Sequence, residues 1–372
     1  MTSFPITDPL TRLHDGLVLA LEAQNISHTA IQALPDSGLA HAHLRVTLAS
    51  GTTWMARLPK QSQMRLAAEE NLTYQRTCFA RCQPSGNTPQ LHHVLPPNED
   101  LPRGGLLVEA IEGRPARLPE DLPAIMATLA SLHALPLPEQ AHRSPLLAPD
   151  SPWQAMLSEI NTQCDHLASA GITGESQALI ETERRALESF VSSVSAPTTV
   201  SLISFDAHPG NFLIEHARHT QTGQPPRAVL VDLEKCRYGL PGFDLAHATL
   251  YTSTTWDIAS YAVLTPEEVV SAYRHWRAQM HAAGADEQLI TPDTLMQARR
   301  AMWLWSVSWC AKWLALNQQT QDTGHSGEDW SGELSEEALI AHVRERARHY
   351  LSTESITCVT SEWHQLASAL RA

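Results

Sequence analysis

The sequence predicts an α+β protein in which a small antiparallel sheet precedes a larger, mainly helical part, and three observations carry that expectation. Three short apolar or β-branched runs between residues 28 and 58 are separated only by turn formers. Most of the chain after residue 122 carries apolar residues at helical spacing, interrupted by short strand-like runs. At 372 residues the chain exceeds the usual size of one compact domain, so two domains or one bilobal unit are expected.

From the N-terminus, Leu10, Leu13, Leu17 and Leu21 recur at helical spacing and predict a covering helix over about residues 8–24. Strands follow at 28–34, 42–48 and 53–58, divided by Pro35-Asp36-Ser37-Gly38 and by Ala49-Ser50-Gly51, and together they read as an antiparallel meander. The Asp36-Ser37-Gly38 turn either brings backbone N–H groups close to a nucleotide phosphate, because glycine tolerates close approach, or is a plain hairpin turn. Arg57 ends the third strand, and residues 62–77 after it have helix-forming composition with Glu69 and Glu70 inside. A strand cation paired with a helix carboxylate can hold a guanidinium against phosphates, although the same residues also suit a solvated ion pair. The Gly- and Pro-rich piece 82–105 reads as turns, and Leu106, Leu107 and Val108 read as a buried edge strand at the boundary between two lobes.

Residues 122–134 predict a helix that stops before Pro136, followed by a linker-like segment, 136–152, with five prolines. Helices at about 152–170 and 176–194 lead into the apolar run 200–205. Two short strands, 212–214 and 228–231, are joined by the polar loop 215–227 and place Asp232 at the mouth of a hairpin. From Leu245 onward the chain is helical, with a polar interruption at 318–334.

Composition excludes several classes. Forty acidic against 26 basic residues give a formal charge of −14, which argues against nucleic-acid or anionic-membrane partners and permits a cationic substrate. The most apolar stretch, 301–316, is too short for a confident membrane span and is broken by Ser306, Ser308 and Lys312. Six scattered cysteines and a start unlike a signal peptide fit a reducing cytoplasm. Cys78 and Cys82 with His92 and His93 match no standard closed zinc set.

The densest chemistry lies in residues 204–244, with FDAHPGN at 205–211 and VLVDLEKCRYGLPGFDLAH at 229–247. Asp206 stands five residues before Asn211, and Asp232 follows a strand-like run, so one loop and one strand end can converge on a metal-bound phosphate. Transfer of a phosphoryl group leaves little covalent work to the protein, so positioning and charge neutralisation supply most of the catalysis. A carboxylate near an acceptor hydroxyl and a divalent ion across the phosphates meet both needs. Taken singly, each of the three residues also suits a cap or a turn.

FDAHPGN resembles the catalytic loop of the aminoglycoside phosphotransferase and choline kinase-like families, and VDLEKCRYGLPGFDLAH resembles their metal-binding segment. LLVEAIEGRP at 106–115 is similar to their interlobe hinge, ASLHALP at 130–136 to the end of the first large-lobe helix, and residues 36–59 to their first hairpin and third strand. The matches fall in family order from about residue 28 to 256. The resemblance implies a bilobal protein-kinase-like α+β fold. A five-stranded antiparallel-sheet N-lobe (1–110) would stand over a large, mainly helical C-lobe (111–372), with ATP between them.

Carried over by position, Asp206 would orient or deprotonate the acceptor hydroxyl, and Asn211 and Asp232 would hold Mg²⁺ on the phosphates. Arg57 sits where the family has Lys or Arg, with Glu70 as its helix partner. The Glu109 carbonyl and the Ile111 amide would face the adenine, and Asp244 would brace the catalytic loop through backbone hydrogen bonds. Two departures stand out: Ser204 replaces the usual His two residues before the catalytic Asp, and His41 and Ala42 stand where the first turn often has Asn.

The activity so implied is ATP- and Mg²⁺-dependent transfer to a hydroxyl of a small molecule, such as an amino alcohol, a sugar or an aminoglycoside. The acceptor is expected between the catalytic loop and the C-terminal helices, near Tyr251-Thr252-Ser253-Thr254-Thr255-Trp256-Asp257. Trp305, Trp309 and Trp313, four residues apart, form either an aromatic wall for an ammonium group or the core face of a large helix. The alternative is a catalytically inactive nucleotide-binding regulator, which only Ser204 favours. A protein kinase ranks below both, since no Ala-Pro-Glu-type segment follows Asp232.

Overall fold

The computed structural model describes residues 9–34, 40–60, 62, 64–194, 199–215, 226–319 and 337–372. The chain divides into two compact units: one comprises Met1–Ala80, Pro89–Ala110 and Gly324–Val343, the other Arg81–Thr88, Ile111–Thr323 and Arg344–Ala372.

The first unit contains helix α1 (Pro9–Ala23), strands β1 (His28–Ala33), β2 (His41–Leu48) and β3 (Thr53–Pro59), helix α2 (Ala68–Cys82), and strands β4 (Leu91–Leu95) and β5 (Gly105–Glu109). The strands form a five-stranded antiparallel sheet in the order β1-β2-β3-β5-β4. Period-two alternation buries Leu44 and Val46 of β2, and these join Ala56, Leu58, Leu95 and Leu107 in one core. Leu17 and Leu21, one helical turn apart on α1, close that core, and Leu13 packs at its edge.

Two expectations need correction. Strand β5 is not an edge: it lies between β3 and β4, and β4 forms the edge instead. Strand β4 reads LHHVL and sits among turn formers, so two histidines hide its strand character; one of them, His92, stacks on Trp54 at 4.8 Å. The helix foreseen over 62–77 begins only at Ala68, which changes the position of Glu70 within it. The Asp36-Ser37-Gly38 turn lies outside the described residues, as does most of the 318–334 interruption. Among the described residues no group of three His, Cys, Asp or Glu side chains is arranged to hold a metal.

The second unit carries two small sheets on a helical body. Strands β6 (Gly113–Pro115), β8 (Phe212–Glu215) and β9 (Ala228–Leu230) pair in the order β6-β8-β9, and β7 (Ser201–Ile203) pairs with β10 (Arg237–Gly239). The foreseen hairpin forms, with Phe212 opposite Leu230. Helices α3 (Leu122–His133), α4 (Pro152–Cys164) and α5 (Gly174–Ser193) precede it. After β10 come α6 (Pro241–Thr249), α7 (Tyr251–Thr254), α8 (Pro266–Ala282), α9 (Glu287–Ile290) and the long α10 (Pro292–Gln319). Helices α11 (Glu337–Tyr350), α12 (Thr353–Ser361) and α13 (Trp363–Arg371) end the chain.

Helix α6 lies close against α10 because Gly242 has no β-carbon; one there would fall 2.7 Å from that of Ala298. Beside this contact the buried Arg299 on α10 donates to the Thr249 hydroxyl at 2.8 Å and to its carbonyl at 3.3 Å, tying the end of α6. Thr128 on α3 donates to the Ala228 carbonyl at 2.7 Å and fastens the hairpin to the helical body. Among the described residues no helix is long and apolar enough to cross a membrane.

Candidate active site

The loop between β7 and β8 holds the first acid, and Asp244 in the first turn of α6 shapes it. The fully buried Asp244 carboxylate accepts the amides of Ser204 at 2.7 Å and Phe205 at 2.8 Å. A third donor comes from the end of α3: His133 Nε2 lies 3.0 Å from Asp244 Oδ2, while His133 Nδ1 accepts the Trp276 indole N–H at 3.1 Å. The indole therefore fixes the tautomer and leaves Nε2–H to donate. These bonds hold Phe205 at φ +61°, a left-handed conformation that costs a non-glycine residue on the order of 1 kcal/mol. Aromatic packing fixes the same residue, with Trp305 edge-on at 5.3 Å and the Arg237 guanidinium 3.6 Å above the ring.

Ser204 retains a bracing role without an imidazole, since its hydroxyl accepts the Asp206 amide at 3.3 Å. Asp206 then points its Oδ2 at the Lys235 ammonium, 3.0 Å away, and its Oδ1 lies 3.9 Å from His247 Nδ1. Burial favours the neutral acid at Asp206, but Lys235, His208 and His247 outweigh it and hold the carboxyl below its ordinary range. At Lys235 burial opposes the charge and Asp206, Glu234 and Asp232 restore it, so the ammonium titrates above its ordinary value.

The three residues singled out for phosphoryl transfer come together here. Asn211 donates its side-chain N–H to the Asp206 carbonyl at 2.8 Å, which leaves its Oδ1 without a hydrogen bond among the described residues. The Val231 amide donates to the Asn211 carbonyl at 2.9 Å and brings Asp232 beside the loop, where its charge acts on both Asp206 and Lys235. An amide oxygen and a carboxylate fit a hard cation such as Mg²⁺, which takes few protein ligands and completes its shell with water and phosphate oxygens.

Lys235, His208 and His247 were not foreseen. Lys235 lies three residues beyond Asp232, and His247 one helical turn beyond Asp244. Both signals are spacings from a recognised acid, but only the tertiary structure aims the side chains at Asp206. Burial pushes His247 down to about 4, with His208 and Lys235 adding to the effect against Asp206. Its folded value lies below its ordinary 6.5, so the unfolded chain binds the proton more readily. The stability it contributes is therefore complete above pH 6.5 and lost as pH falls toward 4, by up to roughly 3 kcal/mol. Urea unfolding should show a steeper decline over that window for the wild type than for His247→Gln.

The remaining foreseen residues are placed as follows. Arg57, Glu70 and Glu109 belong to the first unit, and Ile111 with the acids to the second. Arg57 is buried on β3 opposite His43, with Nη1 3.3 Å from His43 Nε2. It is not paired with Glu70. With α2 starting at Ala68, Glu70 falls in the first turn, where its exposed carboxylate accepts the open Ala67 amide at 3.3 Å. Glu109 ends β5 and accepts the Gln90 amide on its side chain, and the Ile111 amide donates to no described residue. Thr252, Ser253, Thr254 and Thr255 are buried, Thr255 against the Tyr350 hydroxyl at 2.8 Å. Asp257 instead covers Gly210, where a β-carbon would collide with its carboxylate and with the His208 ring.

The tryptophans divide by position. Trp305 donates to Glu159 at 2.8 Å and lies edge-on to His247 and Phe205, whereas Trp313 is 1% exposed in the core. Trp309 meets Trp256 edge-on at 5.7 Å.

The sequence model of the phosphotransferase enzyme family (APH) matches residues 32–278, more than half of the chain and all of this site. The chain belongs to that family. No match is found among curated protein sequences. Among solved structures this phosphotransferase-family chain is similar to an ethanolamine kinase of Plasmodium vivax, with TM-score 0.55 and 12% identity over 94% of this chain and 89% of that one. It is similar to a choline kinase of Cryptosporidium parvum, with TM-score 0.55 and 13% identity over 96% and 99%. A spectinomycin phosphotransferase in complex with ADP and spectinomycin gives TM-score 0.57 and 11% identity over 95% and 98%. At such identities these likenesses establish the shared kinase-like fold, with its small antiparallel sheet and helical remainder.

Proposed function

We propose that the protein is a small-molecule kinase that transfers the γ-phosphate of ATP, with Mg²⁺, to a hydroxyl of an amino alcohol, a sugar or an aminoglycoside-like acceptor. One observation carries the reading: Asp206 Oδ1 accepts no hydrogen bond among the described residues, on a loop shared with Asn211 and beside Asp232. An open carboxylate oxygen can accept the acceptor's O–H and orient the hydroxyl oxygen for attack. Lys235 and the closely packed loop keep that carboxylate ionised and fixed. Asn211 Oδ1 and Asp232 would hold Mg²⁺, which would neutralise charge on the phosphates.

In the first unit, Arg57 would face the phosphates, and the Glu109 carbonyl with the Ile111 amide would take the adenine edge. Glu70 would then support α2 through its cap rather than Arg57 through an ion pair. The likeness to an ethanolamine kinase, a choline kinase and an antibiotic phosphotransferase supports a small acceptor.

The test is ADP release with Mg²⁺, ATP and a panel of amino alcohols, sugars and aminoglycosides. At least one acceptor should raise ADP release well above the acceptor-free rate, and EDTA should abolish the rise. ATP binding that ignores Mg²⁺, with no acceptor turned over, would point instead to an inactive nucleotide-binding protein.

A further inference from the structure

We propose that Lys235 selects the acceptor: the site takes an alcohol whose neighbouring carbon carries an oxygen, and rejects one whose neighbouring carbon carries an ammonium group. This rests on the small-molecule kinase reading and narrows its acceptor.

The geometry is compact. The Lys235 side chain is 16% exposed, and its ammonium lies 3.0 Å from Asp206 Oδ2. Among the described residues that ammonium hydrogen-bonds to Asp206 alone, so two of its three N–H groups stay open beside the carboxylate. The other carboxylate oxygen is the one open to an acceptor hydroxyl. A hydroxyl bound there stands roughly 5 Å from the ammonium, and a group on its neighbouring carbon can swing within hydrogen-bond reach of it.

An oxygen in that place accepts an open Lys235 N–H, and a carboxylate oxygen does so with charge assistance. An ammonium there brings a second cation to within about 5 Å of Lys235 in a largely buried site; the Asp206 carboxylate, already paired to Lys235, offsets part of the repulsion, and the remainder should cost about tenfold in affinity. His208 Nδ1 and His247 Nδ1 are both buried without a hydrogen-bond partner among the described residues, and burial keeps His247 neutral. Of the acids that act on Lys235, Asp206 is paired with it, Asp232 would be engaged by the metal, and Glu234 is buried. An ammonium elsewhere in the acceptor is not excluded, and Asp257, packed over Gly210 four residues beyond Asp206, offers it a carboxylate.

Three compounds share one reacting secondary alcohol and differ only beside it: 1,2-propanediol, lactate and 1-amino-2-propanol. Their binding to the full chain by saturation-transfer NMR needs neither nucleotide nor turnover, and kcat/KM with Mg²⁺ and ATP adds the kinetic arm. The wild type should favour the diol or lactate over the amino alcohol by about tenfold, and the better of the two shows whether the oxygen is preferred neutral or charged. Lys235→Met, checked by thermal melting, should erase the preference, and Lys235→Arg should keep it. Equal binding of all three, binding of none, a preference for the amino alcohol, or a ratio unchanged in Lys235→Met would overturn the proposal. A binding preference without any turnover would leave the selectivity standing and remove the kinase reading instead.

Discussion

Asp206→Asn is expected to lower kcat/KM for any accepted alcohol by roughly 10²- to 10⁴-fold, the range typical of a positioned acid–base group. Asparagine keeps the shape of the side chain, so its backbone ties to Ser204 and Asn211 survive. The amide turns its oxygen toward the Lys235 ammonium, since two donors cannot face each other at 3.0 Å. Its NH₂ then occupies the position of Oδ1 and presents a donor where the acceptor's O–H must donate. The hydroxyl loses both its orientation and the carboxylate that can take its proton. Steady-state kinetics on the best acceptor, with a melting curve to show that the fold is retained, checks this. A variant within threefold of wild-type kcat/KM would remove Asp206 from the chemistry.

Asp244→Asn should destabilise the second unit by about 1–3 kcal/mol, the cost typical of leaving a buried hydrogen-bond donor unmet. Three donors converge on this carboxylate: the Ser204 amide at 2.7 Å, the Phe205 amide at 2.8 Å and His133 Nε2 at 3.0 Å. An asparagine offers one oxygen and places its own NH₂ against at least one of these donors, so a buried polar group is left unmet. Water cannot compensate, because Asp244 and His133 side chains are both 0% exposed. Without both amide bonds Phe205 loses the force that keeps it at positive φ, so activity should fall together with stability. Urea unfolding followed by far-UV circular dichroism measures the loss, and a change below about 1 kcal/mol would mean that packing alone holds the loop.

Much of the architecture was legible because it rests on local periodicity. Strands β1 to β3 are apolar or β-branched runs set off by turn formers, and helix α3 repeats its apolar residues at helical spacing over enough residues to define it. Strands β6, β7 and β10, three residues each, exist only because a partner pairs with them, and no pattern that short carries a period. The candidate site divides the same way. Asp206, Asn211 and Asp232 stand out by residue type and spacing, and the bracing role foreseen for Asp244 matches its bonds to the loop. Lys235 and His247 matter through side-chain direction, which spacing does not give. Glu70 misled because a shift of a few residues in the start of α2 moves a carboxylate from the helix body to its cap. The tryptophans spaced by four drift about 40° per step around a helix of 3.6 residues per turn. Trp305 therefore reaches the catalytic loop while Trp313 ends in the core.

The bonds around Asp244 also bear on when the site forms. They join residues 40 and 111 positions apart, and His133 adds Trp276, 143 positions away. Contacts of such separation require loop closure before they return any free energy, so they form late on the folding route. The loop that carries Asp206 then gains its shape only after α3, α6 and α8 have docked. On refolding, the helical signal should recover before activity. In a denaturant titration activity should be lost no later than the helical signal of the second unit, since the loop needs α3, α6 and α8 docked.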